Sequence, residues 1–207
     1  MIDESMFIQE SGVCGIQSET LYLVECALKY PEYTDILDLG TGTGYIGIIL
    51  DDNDFKVDAV DNDDKALENA ATNIAKFRSG VNLFKSDLFS SVTNCYDLII
   101  FNPPVNPNEN QFTKYISSFL RKISFFREVL IPIIRLKYLK ARKEFILQFL
   151  EEAKKYINFN GAILMHLTKD DIKWLSLCEN INYAIVMSIS LNDFIVLFKP
   201  DSLCRES

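Results

Sequence analysis

Residues 36–47 read ILDLGTGTGYIG. Ile36-Leu37-Asp38-Leu39 is short and mostly apolar, as a buried strand is. Gly40-Thr41-Gly42-Thr43-Gly44 follows as a glycine-rich turn, and Tyr45-Ile46-Gly47-Ile48-Ile49-Leu50 continues as a helix. Strand, glycine turn and helix start together make a nucleotide-type site. A residue without Cβ lets the backbone turn sharply and approach a ligand, and the helix start offers N–H groups with no partner inside the helix. Taken alone, the same pattern also serves as a tight connection.

The spacing narrows the ligand. It is Asp-x-Gly-x-Gly-x-Gly, not the Gly-x-Gly-x-x-Gly of dinucleotide sites, and no Lys-Ser/Thr pair follows to grip phosphate. Asp38 places a carboxylate beside the turn, which repels pyrophosphate and suits a cation. S-adenosylmethionine (SAM), with a nucleoside, an amino acid and a sulfonium, fits this chemistry.

Moving outward, 55–60 reads as a second strand closing on Asp61, about 20 residues past the turn, the reach of an acid onto ribose hydroxyls. Residues 64–77 carry Leu67, Ala70, Ala71, Ile74 and Phe77 at helical spacing. A short strand over 81–85 runs into Ser86-Asp87-Leu88-Phe89. Residues 96–101, YDLIIF, read as a central strand buried on both faces, and Asn102-Pro103-Pro104-Val105 ends it because proline stops strand and helix alike. Upstream, Ser18 reads as the cap of a helix ended by Pro31, and residues 1–12 as a mobile arm. Downstream, 113–130 and 135–156 read as helices broken near Pro132. Strands follow over 162–166, 183–189 and 194–199, with turns at Asn160-Gly161 and Asn192-Asp193. The alternating order implies a parallel sheet with one antiparallel hairpin strand at its end. Asp38, Asp61, Asp87 and Asn102 then line the crevice outside the carboxyl ends of the strands, where open α/β sheets bind ligands.

Composition bounds the rest. The 207 residues suffice for one domain with a sizeable core. Five scattered cysteines with no Cys-x-x-Cys pair favour reduced thiols over a disulfide framework or zinc site, so a cytoplasmic protein is expected and no metal site. No long uncharged apolar run calls for a membrane span. The net charge of −8 argues against general nucleic-acid binding. Its distribution is uneven: residues 112–143 carry nine Lys/Arg and one Glu, a local excess of eight positive charges, so the remainder carries −16.

The series DLGTGTG, AVDND, SDLF and NPP resembles the successive motifs of class I SAM-dependent methyltransferases. Within that class it is similar to the HemK-type release-factor glutamine methyltransferases and related N-methyltransferases with Asn-Pro-Pro-aromatic. The resemblance covers about residues 13–108 well and the last strands loosely. It implies a doubly wound, mostly parallel seven-stranded sheet with an antiparallel last strand, a single domain over 1–207 with an N-terminal arm and helix over 1–34, and a helical insertion or lid over about 106–156. It also implies S-adenosyl-L-methionine as cofactor. Gly40, Thr41, Gly42 and Gly44 would admit its methionine part and Asp38 would orient the ammonium group, directly or through water. Asp61, with Asn62 beside it, would take the ribose hydroxyls. Asp87 would take the adenine amine, with Leu88 or Phe89 against the ring. Asn102 and the Pro103 carbonyl would accept the N–H groups of the acceptor, next to Pro104 and Val105.

The chain departs from that family on the acceptor side. Val105 stands where an aromatic residue is usual, and Gly15-Ile16-Gln17 replaces a Pro-Arg-Pro-like approach. The basic segment mixes Phe119, Leu120, Ile123, Phe126 and Leu130 with Arg121, Lys122 and Arg127. It reads as a lid or substrate platform, as ordinary packing, or as a membrane or RNA surface. His166, the only histidine, reads as a structural strand-end residue more readily than a proton acceptor, and Trp174 as a packing residue. The acceptors left open are a glutamine amide of a protein, an exocyclic amine of RNA and a small metabolite. The family motif favours a protein or planar amide, whereas Val105, the short N-terminus and the missing recognition domain favour a smaller acceptor. A non-catalytic cofactor-binding partner is the alternative of a different class.

Overall fold

The computed structural model describes residues 2–104, 124–178 and 181–199, and the side chains of these except 124–135. The chain divides into two compact units, one made of the residues up to Asn102 and from Glu152 onward, the other of Pro103–Glu151. The first unit begins with a 3-10 turn, Glu4–Met6, followed by α1 (Ser18–Ala27), β1 (Asp35–Leu39), α2 (Tyr45–Asp51), β2 (Lys56–Asp61) and α3 (Asp64–Phe77). Next come β3 (Asn82–Lys85) and β4 (Tyr96–Phe101). Helix α4 (Ser124–Ala153) carries the chain out of the second unit into β5 (Ile157–Thr168), α5 (Lys169–Leu175), β6 (Tyr183–Ser188) and β7 (Asp193–Phe198).

The seven strands form one sheet in the order β3-β2-β1-β4-β5-β7-β6. The four pairings from β3 to β5 are parallel, and β7 runs antiparallel to both neighbours. The doubly wound sheet with an antiparallel last strand is therefore as the motif order implies. Strand side chains alternate between faces. Ile36, Val57, Ala59, Leu98, Ile100, Ala162, Leu164, Ile195 and Leu197 share one core with Leu23 and Ala27 of α1 and Ile46, Ile48 and Leu50 of α2. The alternate residues Leu37, Val60, Ile99, Ile163 and Val196 are buried as well. Trimming one of these, such as Ile99→Ala, costs roughly 2–5 kcal/mol.

Several boundaries differ from expectation, each for a physical reason. Helix α4 runs through Pro132 without a break: one proline removes one intrahelical bond and bends the axis, at about 3 kcal/mol, and a 30-residue helix has bonds on both sides to hold it. Asn160-Gly161 is not a turn but part of β5. The pairing slips there from Tyr96↔Ile157 to Leu98↔Ala162, a bulge. A Cβ on Gly161 would come within 2.8 Å of the Asp97 carbonyl, so only glycine lets the strands approach. Gln17 rather than Ser18 caps α1; its N–H donates to the Thr20 hydroxyl at 3.4 Å. Helix α5 was not expected, although Thr168 and Asp171 form a capping box at its start.

The N-terminal arm is docked, not mobile. Phe7 is buried between the rings of Tyr45 and Phe77, with centroids 4.8 and 4.6 Å away. Two asparagines of α3, both 0% exposed, hold the arm backbone. Asn73 Oδ1 accepts from Ile8 N at 2.8 Å and Asn69 Oδ1 from Glu10 N at 3.2 Å, while both Nδ2 groups donate to Ile8 O at 2.9 Å. Asn73 also reaches Thr43 O, inside the glycine turn, at 2.9 Å. The inner face of α3 is accordingly Ala66, Asn69, Ala70 and Asn73, and Ala71 is exposed. Cys14, Cys26, Cys95 and Cys178 are free thiols.

Candidate active site

The strand register lines up one edge of the sheet. Leu39 pairs with Val60 and Phe101, Asp61 with Lys85, and Phe101 with Met165. One or two residues further along each strand stand Asp87, Asp61, Gly40, Asn102 and His166, in that spatial order across β3, β2, β1, β4 and β5. All five belong to the first unit. Thus the four strand ends singled out in sequence do share an edge, and His166 joins them.

The turn after β1 is held from three sides. Gly40, Gly42 and Gly44 have φ of +75°, +57° and +80°, values that side chains rarely allow. The N–H groups of Gly40 and Thr41 donate to Val60 O at 2.8 and 3.0 Å. A Cβ on Gly44 would press on Ala70 at 3.3 Å. Asp38 lies beneath the turn and is 1% exposed. Thr41 Oγ1 donates to its Oδ2 at 2.6 Å and the Gly47 N–H also bonds it. Burial pushes this carboxyl up to about 7; the bonds from Thr41 and Gly47 oppose the rise and the charge of Asp61 adds to it. Asp38, expected to orient a ligand ammonium directly or through water, lies buried beneath the turn with its carboxyl bonded to Thr41 and Gly47.

Asp61, at the end of β2, closes the turn from the other side. Its Oδ2 accepts from Gly42 N and its Oδ1 from Asp63 N, both at 3.0 Å. An ionised carboxylate has about two acceptor positions per oxygen, so these bonds leave one position on each oxygen for a pair of vicinal hydroxyls. Asn62 beside it is exposed. After β3 the chain is tied by Ser86, whose hydroxyl donates to Leu88 O at 2.7 Å and accepts from Ser91 N at 3.0 Å. Asp87 projects into the open, and Leu88, half-buried, takes a left-handed φ of +47°. A branched residue in that region costs roughly 1–2 kcal/mol. Phe89, the other candidate for an adenine contact, is 1% exposed and stacks on Tyr156 at 4.7 Å; it is core, whereas Leu88 is half-buried.

On the far half of the edge, Asn102 Oδ1 lies 3.2 Å from His166 Nδ1, and His166 Nε2 lies 3.3 Å from Asp193 Oδ1. The Ser190 hydroxyl donates to Asp193 Oδ2 at 2.7 Å. Asp193, read in sequence as a hairpin residue, has no local signal linking it to Asn102. Arg142 was missed for the same reason. In the second unit this buried residue donates from Nη1 to Pro103 O at 3.2 Å and Pro104 O at 2.6 Å. The Pro103 carbonyl expected to meet an acceptor N–H thus already serves an arginine, with its second lone pair remaining. Val105 and residues 112–123 of the basic segment lie outside the described residues. Among the described residues no helix is long and apolar enough to cross a membrane.

This edge fits SAM on its own chemistry: glycines without Cβ where the chain bends, a two-point acceptor at Asp61 for ribose, an exposed carboxylate at Asp87, and an acidic surround for a cation. Known proteins agree. Over 99 residues, 45% of this chain and 36% of the relative, it is 39% identical to a release factor glutamine methyltransferase of Bacteroides thetaiotaomicron. Over 179 residues it is 27% identical to a ribosomal protein uL3 glutamine methyltransferase of Francisella tularensis, covering 84% of this chain and 54% of that one. The chain thus spans from about a third to about half of the length of these relatives. Among solved structures, a T. thermophilus 16S rRNA methyltransferase in complex with AdoMet and guanosine superposes with a TM-score of 0.62 at 13% identity, over 92% of this chain and 44% of that one, a likeness of fold. The methyltransferase small domain matches residues 10–124, more than half of the sequence, and the chain belongs to that family.

Proposed function

We propose that this protein is a SAM-dependent N-methyltransferase whose acceptor is a planar amide nitrogen, of the protein-glutamine class. The observation that carries it is the placement of Asn102 at the end of β4, directly beside the glycine turn of β1 through the pairing of Leu39 with Phe101. The names of the relatives support the acceptor class.

SAM, when bound, supplies a methyl group on a sulfonium. Gly40 and Gly42 would receive its amino-acid part, Asp61 its ribose, and Asp87 with Leu88 its adenine. Asn102 Oδ1 accepts one N–H of the acceptor amide, with the Pro103 carbonyl available for the other. Both bonds draw on the N–H groups and turn the nitrogen lone pair toward the methyl carbon. Amide nitrogen is a weak nucleophile, so positioning supplies the larger part of the rate. The nitrogen takes the methyl group, the bonding pair stays with sulfur, and the displaced proton leaves to solvent. The carboxylates at the edge favour bound positive charge until transfer discharges it.

The test is transfer of labelled methyl from SAM to purified release factor, to ribosomal protein uL3 and to total RNA. Label on a glutamine side chain of either protein is the expected result. Label confined to RNA overturns the amide reading, and no SAM binding in calorimetry overturns the whole. The basic segment 112–143 is proposed to contribute to acceptor binding: charge reversal at Arg121 and Lys122 then weakens acceptor binding and leaves SAM affinity unchanged.

A further inference from the structure

Asn102 is useful only if its amide points the right way. With Oδ1 outward it accepts an N–H; with Nδ2 outward it presents a donor to a donor. The amide oxygen and nitrogen are nearly the same size, so packing alone does not choose between them. Something that distinguishes a donor from an acceptor must stand behind the amide, and His166 stands there. Its Nδ1 lies 3.2 Å from Oδ1 of the Asn102 amide as placed, and its side chain is 9% exposed.

A neutral imidazole has one N–H and one lone pair. Asp193 settles which nitrogen has which. Its carboxylate accepts only, and it lies 3.3 Å from Nε2, so Nε2 carries the proton. Nδ1 is then an acceptor. The partner that satisfies it is Nδ2–H of Asn102, which requires a half-turn of the amide from the placement that sets Oδ1 3.2 Å from Nδ1, an exchange of two atoms of nearly equal size; Nδ2 then faces the ring and Oδ1 the crevice. Asp193 is itself fixed: Ser190 Oγ donates to its other oxygen at 2.7 Å, and its backbone carbonyl accepts from Ile189 N at 2.9 Å and Ser190 N at 3.2 Å. The antiparallel pairing of β5 with β7, Thr168↔Asp193 and His166↔Ile195, brings the pair together.

We propose that Asp193 and His166 are positioning residues that set the orientation of the Asn102 amide, Asp193 by fixing the Nε2–H tautomer and His166 by accepting from Asn102 Nδ2–H. This proposal rests on the N-methyltransferase reading above and assigns roles that the glycine turn and the acids do not share. No bond to the methyl donor is involved, so neither residue is needed to bind SAM.

The chain has one histidine, so ¹⁵N-histidine labelling gives an NMR spectrum of His166 alone. At pH 8 the expected wild-type result is a proton on Nε2 and a lone pair on Nδ1. A proton on Nδ1, alone or with one on Nε2, overturns the proposal. Asp193→Asn, nearly the same shape, can donate to Nε2 and so moves the proton to Nδ1. Methyl transfer to release factor then falls by about tenfold or more, as wrong-tautomer variants do, with SAM affinity by calorimetry unchanged. An Asp193→Asn protein that keeps the wild-type transfer rate overturns the proposal. His166→Asn puts an amide oxygen where Nδ1 stood and retains more transfer than His166→Ala; equal rates for the two overturn the role of His166. If Asn102→Ala still transfers methyl groups, it is the function reading that falls. If Asn102→Ala is inactive while the ring carries its proton on Nδ1, the relay alone falls.

Discussion

The two halves of the sheet edge are built differently. Toward β2 and β3, the site is made of short-range backbone geometry. Three glycines bend one turn, Thr41 binds Asp38 three residues away, and Asp61 binds Gly42 and Asp63, 19 and two residues away. Toward β5 and β7, it is made of side chains that meet only through the sheet. Asn102 and His166 are 64 residues apart, and His166 and Asp193 are 27. In the proposed function, the first half holds a ligand by the shape of the chain and the second aims a single amide. A methyl donor common to many enzymes suits the first construction, and an acceptor particular to one suits the second.

That contrast can be broken or sharpened by experiment. The largest effect is expected under the turn, at Asp38. Its folded-state value of about 7 lies above the ordinary 3.8. The stability tied to its protonated form is therefore fully present below about pH 4 and is lost as pH rises through about 7, a change on the order of 4 kcal/mol. Urea unfolding of wild type and Asp38→Asn between pH 4 and 8 reads it: the wild type loses stability relative to the variant as pH rises. Parallel pH profiles would mean that the turn is not built over a buried acid. Next comes Asp61→Ala, which removes both proposed ribose acceptors and one anchor of the turn. SAM affinity falls at least a hundredfold, about 3 kcal/mol, and a loss below tenfold would place the ribose elsewhere. The smallest is Asn73→Ala. It strips partners from Ile8 and Thr43 at a cost of about 1–3 kcal/mol, and faster amide exchange at Ile8 and Glu10 reports release of the arm. An arm that stays protected would show that Phe7 and Asn69 suffice to hold it.

How much was legible in sequence follows the same division. Helix α3 and strand β4 have the limits their patterns predict, because helical spacing and an apolar run closed by proline are local signals. The glycine turn and the place of Asp61 at the end of β2 were readable because both follow from spacing along the chain. Phe7 gave no signal, since its pocket is made by Tyr45 and Phe77. Asn69 and Asn73 carry no apolar signal, yet burial with full hydrogen bonding suits them to grip a backbone. Gly161 looked like a turn because glycine often marks one; here it marks two strands too close for a Cβ. His166 looked like an isolated residue because neither Asn102 nor Asp193 lies near it in sequence. Arg142 sat unremarked in a basic stretch, though it is buried and tied to the backbone of Pro103 and Pro104.

The separation of a donor half from an acceptor half is tested most directly on Asn102→Ala, by titrating the variant with SAM in a calorimeter and assaying methyl transfer to release factor on the same preparation. The expected result is SAM affinity within about twofold of wild type and transfer lowered by about a thousandfold or more. Loss of SAM binding in step with transfer would contradict the division, and so would transfer that survives.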